Sequence, residues 1–167
     1  MQKIISISTA IILGCLPLPA LAGDDDILVT AKRAPQDAAG YAGAAARLGK
    51  TALDDLPGMH PGQALNTVAG VNIHRGSGQE HLTAIRSPVL TGGAGAGSFL
   101  YLEDGVPLRA AGFANVNGLF ESAIELAGAA EISKGPGSVL YGSNAVHGLI
   151  NVISAAPDID PSASLDI

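Results

Sequence analysis

Several short segments of this chain either alternate apolar with polar positions or are nearly continuous apolar runs, and each such segment predicts a β-strand. In chain order, these segments are residues 71–74, 82–85, 99–102, 130–134 and 149–153. Asp104 and Gly105 follow the third segment, and this dipeptide is typical of a tight turn. The pattern therefore predicts a small sheet of about four to five short strands.

Helical signals are few and short. Pro61 suits the first turn of a helix that ends before Gly70. Residues 138–141 fit one helical turn, and residues 119–126 predict another short helix with Asn117 as its cap. The glycine-rich segment 91–97 and the irregular stretch 109–117 predict long loops. The predicted fold class is α+β, with a small mixed β-sheet, two or three short helices and long glycine-rich loops.

The first 22 residues have the pattern of a secretory signal peptide. Lys3 gives a positive start, residues 4–16 are almost wholly apolar, and residues 20–22 read Ala-Leu-Ala. The apolar run is too short to cross a bilayer as a helix. Residues 12–15 also loosely resemble a lipoprotein processing site, which would place a lipid on Cys15. Residues 23–55 predict a flexible N-terminal arm.

Composition narrows the possible partners. The chain has 15 acidic and 9 basic residues, so nucleic acid is not an expected partner. Hydrophobic residues make up 47% of the chain, which argues against disorder. Cys15 is the only cysteine, and cleavage after residue 22 would leave neither a disulfide nor a thiol site.

No constellation of residues indicates an enzyme. The segment 93–97 has neither the third spaced glycine of a dinucleotide site nor a Gly-Lys-Ser/Thr ending. No Gly-x-Ser-x-Gly occurs. No two histidines have the spacing of a metal-binding pair on one helix. His74 and His81 could face each other across a loop, or be ordinary surface residues. We therefore predict that the chain is not an enzyme and holds no metal or cofactor.

Two further segments carry a family resemblance. Residues 134–142 read KGPGSVLYG, and residues 145–153 read AVHGLINVI. Together they resemble the plug domain of TonB-dependent outer-membrane receptors, with His147 in place of a usual glycine. Residues 65–71, 85–86 and 102–107 (LEDGVP) match further motifs of that family. Two positions depart from it, since Ala69 replaces a usual proline and Ser87 a usual glycine.

The resemblance implies a domain organisation. Residues 56–156 would form the plug, and residues 157–167 would begin a C-terminal barrel of 22 strands. Residues 26–31 resemble the TonB box, which would add as a strand to the TonB protein of an inner-membrane energising complex. The plug would then lie in the barrel lumen at the cell outer membrane, exposed to the periplasm.

The resemblance also implies roles for individual residues. The TonB-binding segment would consist of Asp26, Ile27, Leu28, Val29, Thr30 and Ala31. Charged contacts with the barrel wall are expected from Arg86, Glu131 and Lys134. A turn motif would be formed by Gly135, Pro136, Gly137, Tyr141, Gly142 and Gly148, whose glycines are expected where a β-carbon would clash with backbone. Loops facing the ligand would present Arg109, Phe113 and Asn115.

The function implied is that of a gating plug for energy-coupled uptake of a scarce substrate, such as a ferric siderophore or another metal chelate. The alternative is a stand-alone periplasmic binding or interaction module, or a non-functional gene fragment. The residues of the predicted ligand-facing loops do not indicate which of these substrates is bound.

Overall fold

The part of the chain that the structure describes contains nine strands and three short α-helices. This computed structural model describes residues 28–29, 36–37, 43–55, 60–77, 80–89, 98–108 and 122–157. The strands are β1 (Leu28–Val29), β2 (Gln36–Asp37), β3 (Ala45–Gly49), β4 (Val71–Arg75), β5 (His81–Ile85), β6 (Phe99–Glu103), β7 (Val106–Pro107), β8 (Ala127–Ser133) and β9 (Gly148–Ser154). The α-helices are α1 (Lys50–Asp54), α2 (Pro61–Leu65) and α3 (Ser138–Tyr141).

Five strands form a central mixed sheet in the order β3-β8-β9-β6-β7. The pair β6–β9 is parallel, and the other three pairs are antiparallel. Strands β4 and β5 form a separate antiparallel ribbon, and β1 pairs with β2. The predicted α+β class with a small mixed sheet is confirmed.

The main core lies between one face of the central sheet and the unit formed by α2 with the β4–β5 ribbon. Val71 and Ile73 of β4 are buried, whereas Asn72 and His74 between them are exposed, which is the predicted alternation. This core consists of Leu65, Val68, Val71, Ile73, Ile85, Phe99, Tyr101, Ile124, Ala127, Ala130, Ile132, Ile150 and Val152. The ribbon therefore cannot bury its apolar face without the sheet.

The opposite face of the sheet is covered by the segment between β8 and β9. Successive side chains of a strand point to opposite faces, so Leu100 and Leu102 leave the face that carries Phe99 and Tyr101. Leu100 and Leu102 form a second buried cluster with Tyr141, Ala145 and Leu149. The 134–147 loop is thus part of the packed domain.

The structure differs from the predicted arm at its C-terminal end. A flexible arm is expected over residues 23–55, yet β3 is an edge strand of the central sheet and α1 follows it directly. The segment AARLG lacks alternation and is poor in β-formers. Its structure comes from pairing with β8 and from packing of Leu48 and Leu53 against the core.

The predicted helix over residues 119–126 is not formed in its described part. Ile124–Leu126 form one 3₁₀ turn, and Ala127 already has extended backbone (ψ 144°). Leu126 is 76% exposed, so it does not contribute to a buried helical face. The chain instead enters β8, whose pairing with β9 begins at Ala127.

Several predictions lie outside the described residues. They concern the signal peptide, the loops 91–97 and 109–117, and residues 158–167. Within the described segments, no helix has the length and apolar character needed to cross a membrane.

Candidate functional site

A tight turn joins β6 to β7, and hydrogen bonds fix it to β9. Asp104 (φ 48°) and Gly105 (φ 80°) both have left-handed backbone, as the Asp-Gly pattern predicts. The Asp104 N–H donates to the carbonyl of Val152 (2.9 Å), and the Gly105 N–H donates to Oδ1 of Asn151 (2.9 Å). The turn is therefore held by another strand as well as by its own geometry.

The carboxylate of Asp104 makes a second attachment to β9. Its Oδ1 accepts from the N–H of Ser154 (2.9 Å), and its Oδ2 accepts from the Ser154 hydroxyl (2.6 Å). Bonds to a carboxylate are stronger than those between neutral groups. Because Ser154 is the last residue of β9, this clip fixes the point where the chain leaves the central sheet.

The loop between β8 and β9 is closed by hydrogen bonds across its base. The carbonyl of Ala145 accepts from the N–H of Gly137 (2.8 Å) and from the hydroxyl of Ser138 (3.0 Å). Helix α3 begins at Ser138, as predicted, and Tyr141 turns inward to the second buried cluster. Val139, in contrast, is 98% exposed.

The glycines of this loop meet different surroundings. A β-carbon on Gly148 would lie 2.7 Å from the carbonyl oxygen of Ser133 and 2.9 Å from Cδ1 of Ile85. On Gly137 it would lie 2.9 Å from Cδ2 of Leu149, a side-chain atom. At both positions, neighbouring atoms therefore lie too close to the backbone to leave room for a β-carbon.

The expectation of a backbone clash at all four motif glycines is wrong for three of them. A β-carbon on Gly135 or Gly142 would have no atom within 4 Å, and the one on Gly137 would meet side chains. Position 142 instead requires glycine because of its backbone conformation (φ 80°, ψ −160°), which is essentially confined to glycine. Only Gly148 meets neighbouring backbone closer than a real β-carbon allows.

Glu131 does not face outward. It lies on β8, between β3 and β9, and is only 4% exposed. The register places Arg47 opposite Glu131, and Nη1 of Arg47 lies 3.4 Å from Oε1 of Glu131. The expected contact of Glu131 with a barrel wall is therefore replaced by an ion pair within this chain.

Arg86 and Lys134 both lie beside residues 69–70. Nζ of Lys134 donates to the carbonyl of Ala69 (3.0 Å), and the Arg86 N–H donates to the carbonyl of Gly70 (2.8 Å). A β-carbon on Gly70 would lie 3.3 Å from Cγ of Arg86. Two cations thus flank residues 69–70, and within the described segments neither is in an ion pair.

The histidines are split between surface and core. His74 is exposed on β4, and His81 is buried on β5, so the two do not face each other. The rings of His81 and Tyr101 make an edge contact, with centroids 5.8 Å apart. The described residues hold no group of three or more His, Cys, Asp or Glu suited to a metal ion.

Most of the other predicted site residues lie outside the part of the chain that the structure describes. Backbone pairing is described for Leu28 and Val29, with Asp37 and Gln36 respectively. The remaining members of the predicted TonB-binding segment, Asp26, Ile27, Thr30 and Ala31, lie outside the described residues, as do Arg109, Phe113 and Asn115.

Sequence reasoning missed Arg47, Asn151 and Ser154. Asn151 had a usable signal, because a polar residue inside the apolar run LINVI needs a buried partner. Glu131 in AAEIS carried the same signal. Arg47 and Ser154 had none, because their roles depend on which strands become neighbours.

Comparison with known proteins agrees with this geometry. The family model of the TonB-dependent Receptor Plug Domain matches residues 38–149, from before β3 to the second residue of β9. This chain belongs to the TonB-dependent receptor plug family. The match also includes β3 and α1, in line with the structure rather than with the arm boundary expected from the sequence.

One curated relative is the vitamin B12 transporter BtuB of Vibrio vulnificus (strain CMCP6). It is 30% identical over 136 residues, which are 81% of this chain. The chain spans about a fifth of that relative's length (21%).

Two solved receptors share the fold of this plug domain. The ferric yersiniabactin uptake receptor FyuA from Yersinia pestis has a TM-score of 0.51 and 21% identity, over 70% of this chain and 17% of the receptor. The ferripyoverdine receptor of the outer membrane of Pseudomonas aeruginosa has a TM-score of 0.53 and 17% identity, over 78% and 16% respectively. At these identities, the likeness shows the fold alone. The relatives are transporters and receptors, so the prediction that this chain is not an enzyme is confirmed.

Proposed function

We propose that this plug domain gates a TonB-dependent receptor of the outer membrane. The observation that carries the proposal is the family match over residues 38–149, which includes β3, β8, β6 and the start of β9. Four of the five strands of the central sheet, β3, β6, β7 and β8, thus lie wholly inside the match, and β9 lies inside it up to residue 149. The gate would occupy the lumen of a barrel supplied by the rest of the receptor.

The substrate class we propose is a metal chelate. The relatives include a vitamin B12 transporter, a ferric yersiniabactin uptake receptor and a ferripyoverdine receptor. Each of these molecules is a metal complex. No described residue distinguishes a ferric siderophore from a cobalamin.

Arg86 and Lys134 are the residues that we propose contact the barrel wall. Both flank residues 69–70 and have no carboxylate partner among the described residues. A carboxylate on the wall would meet two cations, one at the end of β5 and one directly after β8, both beside the α2–β4 turn. Glu131 is left out of this contact, because Arg47 already neutralises it.

The proposed contact of Arg86 and Lys134 with the barrel wall can be tested with the variant Arg86→Gln/Lys134→Gln in the complete receptor. We expect uptake to change while the isolated chain keeps its free energy of unfolding within about 0.5 kcal/mol, because exposed charges contribute little to stability. Lys50→Gln is the matched control, since the partner of Lys50 among the described residues is the exposed Asp54. Unchanged uptake in the double variant would remove both residues from the wall contact.

The segment Asp26–Ala31 is our proposed binding site for TonB. Strand pairing of Leu28 and Val29 with β2 supports it, because that pairing shows these two residues in extended backbone. An extended segment can add to a sheet edge of a partner through backbone hydrogen bonds. We expect Leu28→Pro to abolish energy-coupled uptake, because proline removes a donor. Leu28→Val is the control, and full uptake with Leu28→Pro would contradict the assignment.

The overall function is tested by a blot of fractionated cells with an antibody against residues 56–156. We expect a band several times heavier than 16.6 kDa in the outer membrane. Growth on ferric siderophores, and then on cobalamin, would identify the chelate. A band near 16.6 kDa in the periplasm would indicate a stand-alone module instead, and no band would indicate a non-functional fragment.

A further inference from the structure

Three rings stand in a row at the junction of α2, β5 and β6. The ring centroids of His60 and His81 are 6.0 Å apart with planes at 74°, and those of His81 and Tyr101 are 5.8 Å apart with planes at 82°. His81 is 5% exposed and Tyr101 is 3% exposed. The row links the unit of α2 and the β4–β5 ribbon to the central sheet.

His60 also caps α2 with a ring nitrogen. Its Nδ1 accepts the N–H of Gly62 at 2.9 Å, and Pro61 between them has no N–H of its own. A ring nitrogen accepts a hydrogen bond only when it carries no proton. His60 in this structure is therefore the neutral tautomer with its proton on Nε2.

The far end of the row is an uncharged phenol. The hydroxyl of Tyr101 shares a hydrogen bond with the hydroxyl of Thr83 on β5. Burial raises the pKa of Tyr101 above its usual range, so the phenol stays neutral at any pH where histidine titrates. It offers no charge that would compensate an imidazolium at His81.

The charged groups on the surrounding elements are few. Helix α2 has none, and β4 places Arg75 opposite His81 in the register. Glu80 precedes β5 and is exposed, and Glu103 follows Tyr101 by two residues on β6 and is half-buried. A cation opposite His81 opposes a further positive charge there.

We propose that His60 and His81 form an acid-sensitive latch between the α2/β4–β5 unit and the central sheet. Protonation of His60 at Nδ1 removes the acceptor of the Gly62 N–H. Protonation of both rings places like charges about 6 Å apart in a mostly buried site. The latch is closed when both rings are neutral and loosens in acid as the rings take up protons. This inference does not depend on the proposed transport function.

The test is NMR of the ¹⁵N-labelled 167-residue chain between pH 7.5 and 5.0. We expect the Gly62 amide resonance to shift as the pH falls through this range. Its hydrogen-exchange protection, corrected for intrinsic rates, should fall roughly fivefold, the scale of one lost helix cap. A Gly62 amide with the same shift and protection at both ends of the range would overturn the proposal.

Two variants sharpen this test. His60→Asn keeps a side-chain acceptor at the cap but does not titrate, so the pH dependence at Gly62 should disappear. His74→Asn changes an exposed histidine of β4 and should leave that dependence intact. If the dependence persists in His60→Asn, His60 is not the sensor.

A measurement on the unmodified chain covers the case in which His60→Asn does not fold. A long-range ¹H–¹⁵N spectrum at pH 7.5 reports which ring nitrogen carries the proton. We expect Nδ1 of His60 to be unprotonated and Nε2 protonated. The opposite tautomer would be incompatible with the cap and would overturn the proposal.

Discussion

The glycines at the two ends of the loop between β8 and β9 lie in opposite surroundings. At its end, Gly148 enters β9 against the carbonyl of Ser133, and a β-carbon would lie 2.7 Å from that oxygen. At its start, Gly135 faces open space, with no atom within 4 Å of the same added carbon. One glycine is required by the fold of this chain, and the other is not. Family motifs therefore mix residues that the domain itself needs with residues whose reason lies elsewhere.

Gly148→Ala is the largest expected effect. The carbonyl of Ser133 belongs to β8 and Ile85 is 1% exposed, so neither side can yield without moving a strand or the core. We expect a loss of about 3 kcal/mol in the free energy of unfolding, at the upper end for overpacked sites. Urea unfolding of the 167-residue chain followed by far-ultraviolet circular dichroism measures it. Gly135→Ala is the matched control, and equal midpoints for the two variants would refute the contrast.

Gly142→Ala tests backbone conformation without crowding. Nothing lies within 4 Å of the added carbon, but φ 80° with ψ −160° is a region that other residues avoid. We expect a loss of about 2 kcal/mol, measured by the same unfolding experiment. Gly105→Ala, which also combines a positive φ with open space, should lose stability as well. If Gly142→Ala has no effect, the loop is able to relax into another conformation.

Gly137→Ala should cost less than either of these. The closest atom to its added carbon is Cδ2 of Leu149 at 2.9 Å, the end of a side chain that can rotate. We expect a loss of about 1 kcal/mol in the free energy of unfolding. In the variant Gly137→Ala/Leu149→Ala, the closest atom is gone and Cβ of Ala145 at 3.3 Å remains, so the substitution at residue 137 should add little to the cost of Leu149→Ala. An additive double variant would show that the clash is not with Leu149.

Much of the fold was predictable because local pattern and burial agree. The alternation of Val71 and Ile73 with Asn72 and His74 reflects a ribbon with one buried face. Strands β6 and β9 are apolar runs because they lie inside the sheet and are covered on both faces. The Asp-Gly turn was predictable because few residues tolerate two successive left-handed conformations.

The rest could not be predicted because it depends on which strands become neighbours. The segment AARLG has no periodicity, and its strand exists through pairing with β8. The partner of Glu131 was not predictable, because only the strand register places Arg47 opposite it. The apolar residues of 119–126 suggested a helix, yet the chain is extended from Ala127 because β8 pairs with β9 from that residue onward. The convergence of Arg86 and Lys134 on residues 69–70 likewise needs the folded core.

Gly135→Ala is the smallest expected effect on the chain itself and the most informative about its surroundings. Gly135 has no positive φ, so alanine should change the free energy of unfolding by no more than about 0.5 kcal/mol, and the change can be stabilising. In a complete receptor, the open space beside Gly135 adjoins Lys134, one of the two cations that we propose face the barrel wall. We therefore expect Gly135→Ala to lower uptake by the receptor while leaving the unfolding midpoint of the isolated chain unchanged. Uptake equal to that of the unmodified receptor would mean that no wall approaches at Gly135. Gly148→Ala, in contrast, should lower both quantities, because its contact lies within the chain.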